Sequence, residues 1–224
     1  MDEIELRKTL VECIPDAIFK RNGQILYSGI DTVCPGEFYI VGLNPAKDGT
    51  NPRLCDVPLN RQHWSAYTQQ CWRHSNCGAS CADVGRAPHQ KRVQKIMFEL
   101  GITPERTFAA NLVFVESRSS EDIKREIKDG GLFDIFWRVH AKLLSEIRAK
   151  CILCLGNQAD LSAFSLVRKK AAAIGYERKT EKFKSFVGAF HLPDGLTLRT
   201  KVIGVHHPSY PMNPEGLRDW MSQP

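Results

Sequence analysis

The sequence predicts an α/β domain, a three-layer α/β/α sandwich around a central, mostly parallel sheet. Three observations carry this. Short β-branched or aromatic runs alternate along the chain with longer segments of helical periodicity, the pattern of strands joined by crossover helices. Two of the apolar runs, Phe38 to Leu43 and Val202 to Val205, stop abruptly at polar residues followed by proline, in Asn44-Pro45 and His206-His207-Pro208. The size also agrees: 224 residues, 42% of them hydrophobic and 25% charged, fit a single domain over residues 1–224 with a sizeable core.

The elements follow in order. Leu6, Leu10, Ile14 and Ile18 recur at helical spacing over Glu5 to Phe19, with Pro15 as a break. Phe38 to Leu43 reads as a short buried strand. From Ala46 to Pro88 no period is sustained, and a loop of that length in a compact domain tends to carry function. Val93, Ile96, Met97 and Leu100 place an amphipathic helix over His89 to Leu100, ended by Gly101. Phe108 to Val115 is strand-like. Leu132 to Ile147 is a helix, Cys151 to Leu155 a strand, and Ala159 to Ile174 a helix. Phe186 to His191 and Leu196 to Val205 flank Pro193-Asp194-Gly195, a hairpin signal.

Composition narrows the functional classes. No apolar run approaches the length of a membrane span. The mixed-charge Met1 to Lys8 lacks the apolar core of a signal peptide. An intracellular protein (cytoplasm, nucleoid or nucleus) without membrane attachment is expected, with a monomer as the simplest state. The formal net charge of +6 permits a nucleic-acid partner without requiring one. Basic residues gather in Arg86–Lys95 and Arg168–Lys184, as they do on solvated faces or along a phosphate-tracking surface. Eight cysteines without a secretion signal argue against a disulfide framework. Cys151 and Cys154 are spaced like a metal or redox pair, but in an apolar strand they read better as small buried hydrophobes.

Ligands of open parallel sheets bind at the carboxyl ends of the strands. Three predicted strands offer polar groups near there: Asn44, Asn111 and His207. One buried asparagine could simply bond neighbouring backbone; three polar strand ends in one sheet point to a pocket. An asparagine amide presents one acceptor and two donors, which suits the edge of a uracil-like base. A histidine can donate to an oxygen that gains charge as a base departs. Ser209, in a proline-restricted loop, could hydrogen-bond a phosphate.

These residues resemble the uracil-DNA glycosylase superfamily. Gly42-Leu43-Asn44-Pro45 is similar to its first motif in the asparagine form of the mismatch-specific and single-strand-selective branches, and His207-Pro208-Ser209 is similar to its second. Asn111 sits between them, where these enzymes place a base-reading asparagine. Cys154-Leu155-Gly156-Asn157-Gln158-Ala159 resembles the leucine-glycine turn that starts a family helix. Asn213-Pro214 and Trp220 resemble the single-strand-selective branch.

The resemblance implies base excision repair by a monofunctional DNA N-glycosylase, a hydrolase that flips uracil or another deaminated base into a pocket and needs no cofactor for catalysis. Asn44 would position the attacking water and His207 would stabilise the departing base. Asn111 would read the base, bordered by Gly42 and Leu43. Pro45 and Ser209 would contact the DNA, with Tyr210, Pro211 and Met212 as the candidate wedge. Ala46 stands where the family usually has glycine, and no aromatic follows the first motif until Trp64 and Tyr67, so the stacking partner is unassigned. Strand alternation allows only one of His206 and His207 to face the pocket, and the motif register selects His207. A non-catalytic nucleic-acid-binding module on the same fold, and an enzyme of free nucleosides or nucleotides, are the rival readings.

The long loop holds Cys71, His74, Cys77 and Cys81 within eleven residues, with Cys55, His63 and His89 nearby. Four sulfur and nitrogen ligands suit a structural zinc; an iron–sulfur cluster would want four thiolates. The alternative is a set of unligated cysteines in a loop shaped by Trp64, Trp72 and packing.

Overall fold

A computed structural model of the chain describes residues 1–46, 51–72, 84–129, 131–211 and 213–223. Helix α1 (Glu3–Cys13) opens with a capping box in which the Asp2 carboxylate accepts from the Glu5 N–H and the Glu5 carboxylate from the Asp2 N–H. Pro15 separates it from the single turn α2 (Asp16–Phe19). Then come β1 (Phe38–Gly42), α3 (Ala66–Gln69), α4 (Pro88–Glu99) and β2 (Phe108–Asn111). These are followed by α5 (Ser120–Asp129), α6 (Leu132–Ile147), β3 (Cys151–Leu155) and α7 (Ala163–Lys170). The chain closes with β4 (Ala173–Lys179), β5 (Phe183–His191), β6 (Thr197–Val205) and α8 (Leu217–Ser222). Among the described residues no helix is long and apolar enough to cross a membrane.

The six strands form one sheet in the order β2-β1-β3-β6-β5-β4. β2, β1, β3 and β6 are parallel neighbours, while β5 and β4 continue the sheet antiparallel. Side chains alternate across β1, so Tyr39 and Val41 belong to the core layer that includes α1, α6 and α7, whereas Ile40 belongs to the one that includes α3, α4 and α8. Both faces are covered, which makes the fold α/β in three layers. It also explains why the inner strands read as unbroken apolar runs. Cys151 and Cys154 lie buried in β3 as free thiols, pushed up in pKa by burial, to about 12 for Cys151.

Three expectations are corrected. The β2 ladder ends at Asn111, although the Leu112 and Val113 N–H groups still bond the Gly42 and Leu43 carbonyls. The helix expected over Ala159–Ile174 is only the eight-residue α7. Ala173–Lys179 is instead an edge strand whose charged, exposed residues carry no apolar alternation. The loop from Ala46 to Pro88 is not structureless. It holds a 3₁₀ turn at Leu54–Asp56 and the short α3, and it buries Leu54, Leu59, Ala66 and Tyr67 to 2% exposure or less.

Candidate active site at the strand ends

A cavity of 330 Å³ runs across the carboxyl ends of the parallel strands. Gly42 of β1, Asn111 of β2, Leu155 of β3 and His207, two residues past β6, all line it, as do Leu43, Asn44, Pro45, Ala46 and Ser209. The polar strand ends therefore converge on one space. Tyr210 and Pro211 do not line it, and Tyr210 is 63% exposed. Met212 lies outside the described residues.

The hydrogen bonds orient each side chain. Asn44 Nδ2 donates to the Pro45 carbonyl (2.8 Å) and to Ser117 Oγ (2.9 Å), which itself donates to the Ser119 carbonyl. A carbonyl can only accept, so the nitrogen must face Pro45 and, among the described residues, the Asn44 amide oxygen is left as an acceptor. Ser117 is held beside it by a parallel bridge to Ala46. Sequence reasoning missed this serine, although it follows the apolar run Leu112–Val115 by two residues, as His207 follows Val205.

Asn111 is 5% exposed, and its amide oxygen lies 2.2 Å from where a Cβ on Gly42 would sit. Only glycine at position 42 leaves room for that amide. The backbone beneath is anchored from the core. His140 Nε2 donates to the Asn111 and Leu112 carbonyls (3.1 and 3.2 Å), and the Tyr39 hydroxyl donates to His140 Nδ1 (2.7 Å). Nε2 faces two groups that only accept, so it carries the proton. Burial lowers the His140 pKa to about 4 against the opposing pull of these backbone bonds.

His207 Nδ1 accepts from the Ser209 N–H at 3.2 Å, which leaves Nε2–H as the donor of the neutral ring. Burial lowers the pKa and favours that neutral form. Arg92 of α4 clamps the same loop by donating to the Pro208 and Ser209 carbonyls at 2.9 and 2.8 Å. Gly156 backs the ring at a backbone φ of +128°, and a Cβ there would come within 3.6 Å of it. His206 turns the other way, its Nε2 against the Glu181 carbonyl at 2.9 Å.

The rest of the wall comes from outside the sheet, from the short α3, the start of α4 and irregular chain. Tyr27, Tyr67 and Trp72 form an aromatic cluster with ring centroids 5.7–6.0 Å apart, and His89 bridges Trp72 (5.5 Å) to His207 (5.3 Å). His89 is held near pKa 4 by burial first, then by His207 and Arg92. Aromatic side chains thus line the cavity, Tyr67 and Trp72 from the long loop and Tyr27 from the segment before β1. Trp64 is not among the lining residues.

Of the four candidate metal ligands, His74, Cys77 and Cys81 lie outside the described residues. Cys71 is disulfide-bonded, contrary to the expectation of reduced thiols, and a disulfide sulfur is not a thiolate ligand. His63 pairs with Asp31, and His89 faces the cavity. Among the described residues no group of three or more His, Cys, Asp or Glu is placed to hold a metal ion. No family model matches the chain, and no curated protein matches it.

Proposed function

We propose that this chain is a DNA glycosylase of the uracil-DNA glycosylase superfamily that hydrolyses the N-glycosidic bond of uracil or another deaminated base. The observation that carries the reading is the convergence of an oriented Asn44 acceptor, the Asn111 amide and the His207 donor on one strand-end cavity.

The chemistry follows from these orientations. The C1′–N bond breaks with its electron pair leaving on the base, and the sugar becomes cationic. The Asn44 amide oxygen accepts from a water whose oxygen bonds to C1′. An amide is too weak a base to deprotonate that water before attack, so the proton passes to solvent once the bond has formed. His207 Nε2–H donates to the base oxygen where negative charge collects. A neutral donor suffices there because it is held in place before the charge develops and needs no reorganisation as the bond breaks. Asn111 reads the base through its donor and acceptor pair. Ser209, exposed at the rim, contacts the DNA phosphate.

The test is strand cleavage after alkali on oligonucleotides bearing uracil, hypoxanthine or xanthine. Product is expected from at least one. No product from any of them at high enzyme excess overturns the reading and leaves a non-catalytic binder or a nucleoside enzyme. DNA affinity is expected to fall steeply with salt as phosphate contacts release counterions.

A further inference from the structure

His207 stands two residues past β6, outside the sheet ladder, so the ladder does not fix its ring. The Ser209 N–H at its Nδ1 belongs to the same loop and moves with it. Gly156 backs the ring but has no side chain to lock it. Among the described residues one other ring packs against the imidazole, that of His89, with centroids 5.3 Å apart. His89 lines the cavity, yet the proposed reaction gives it no role.

Helix α4 explains how His89 is placed. His89 and Arg92 stand three residues apart and so share one face of the helix. Arg92 grips the backbone of the His207 loop through the Pro208 and Ser209 carbonyls, and His89 meets the imidazole itself. The helix that carries both is anchored. It buries Val93, Ile96 and Met97. Gln90, next to His89, donates to the Ala66 and Gln70 carbonyls at 2.7 and 2.8 Å. Among the described residues the His89 side chain makes ring contacts, to His207 and to Trp72, and no hydrogen bond. With its pKa lowered to about 4, by burial first and then by His207 and Arg92, the ring is neutral at pH 7 and sets no like charge against His207.

We propose that His89 is a positioning residue for His207: packed against the imidazole, it holds Nε2–H toward the departing base while Arg92 holds the loop. This role rests on the glycosylase reading. A donor must stand in place when the charge appears, and a misplacement of ~1 Å can cost ~10²-fold in rate.

Single-turnover release is measured on the oligonucleotide that the wild-type protein cleaves fastest. His89→Ala removes the ring and is expected to slow release about tenfold, with DNA affinity within about threefold of wild type. His89→Ser, a small residue tolerated near helix starts, gives the same readout where alanine does not fold. His89→Phe keeps a ring that is neutral, as histidine is here at pH 7, and is expected to stay within about threefold of the wild-type rate. In the His207→Ala background, His89→Ala is expected to slow release no further, because no imidazole remains to position. A folded alanine or serine variant that releases base at the wild-type rate overturns this inference alone. His89→Phe as slow as His89→Ala overturns it too, since the ring nitrogens and not the packing would then carry the effect. An undiminished loss in the His207→Ala background overturns it by marking a structural role. No release of any base by the wild-type protein overturns the glycosylase reading and this inference with it.

Discussion

On the floor of the cavity, Asn44, Asn111 and His207 each sit at the end of a parallel strand or two residues past it. Their backbone is fixed by the sheet ladder, by the His140–Tyr39 pair and by the Arg92 clamp. On the wall, Gln24, Tyr27, Gln70 and Trp72 come from chain with no strand or helix of its own, held by ring packing and amide bonds. The floor is rigid because moving any one group breaks backbone hydrogen bonds in a buried layer. The wall can change with far less loss of fold. In the proposed glycosylase, chemistry would need the first kind of support and base binding the second.

If that division holds, the largest effects on turnover belong to the floor. His207→Ala is expected to slow single-turnover release by about 10²–10³-fold, the scale seen when one transition-state hydrogen-bond donor is removed, and Asn44→Ala, which removes the acceptor for the attacking water, to slow it by about as much. DNA affinity, measured by fluorescence anisotropy, should stay within about threefold of wild type, since neither group is expected to contact the backbone phosphates. Equal losses in rate and affinity would break the comparison.

Gly42→Ala probes the floor without deleting a functional group. The new methyl would meet only the Asn111 amide, at 2.2 Å from Oδ1 and 3.5 Å from Cγ. The expected outcome is a rate loss of about tenfold to a hundredfold with a thermal midpoint little changed. A large drop in stability with normal turnover would show that position 42 serves the fold and not the amide.

Trp72→Leu tests the wall. It removes a ring from the aromatic cluster but leaves every floor hydrogen bond in place. Base–aromatic stacking is worth ~1–3 kcal/mol, so KM should rise about tenfold while kcat moves little. A kcat loss as large as that of His207→Ala would place Trp72 with the reacting groups.

The two regions also differ in how far they can be read from sequence. A strand end leaves a local mark: an apolar run, a polar residue, a proline. Asn44 and His207 carry it, and the period of two even separates His207 from His206, which the structure turns toward the Glu181 carbonyl. Asn111 is visible as an amide inside an apolar run. Gln24 and Gln70 leave no such mark, because their place in the cavity depends on how irregular chain crosses the edge of β2. Tyr67 and Trp72 were visible only as aromatics in a loop without period. The edge strand β4 was hidden for a related reason: exposed on nearly every residue, it has no buried face to impose alternation.

The smallest expected effect concerns the support beneath the floor. His140 has 0% exposure and a pKa lowered to about 4 by burial. Above its ordinary value near 6.5 the ring is neutral whether the chain is folded or not, and it adds no pH dependence. Between 6.5 and 4 the unfolded chain binds a proton that the folded chain refuses, so stability falls as the pH falls, by at most ~1.4 kcal/mol per pH unit. His89 shares this direction. In His140→Gln the side chain no longer titrates, while its amide nitrogen can still donate toward the Asn111 carbonyl. Urea midpoints measured at pH 7 and pH 4.5 should therefore converge in the variant relative to wild type, with His89 and His207 supplying the remaining slope. If wild type and variant lose stability equally on acidification, His140 is not held neutral by the fold. The rigidity attributed to the floor at Asn111 would then need another source.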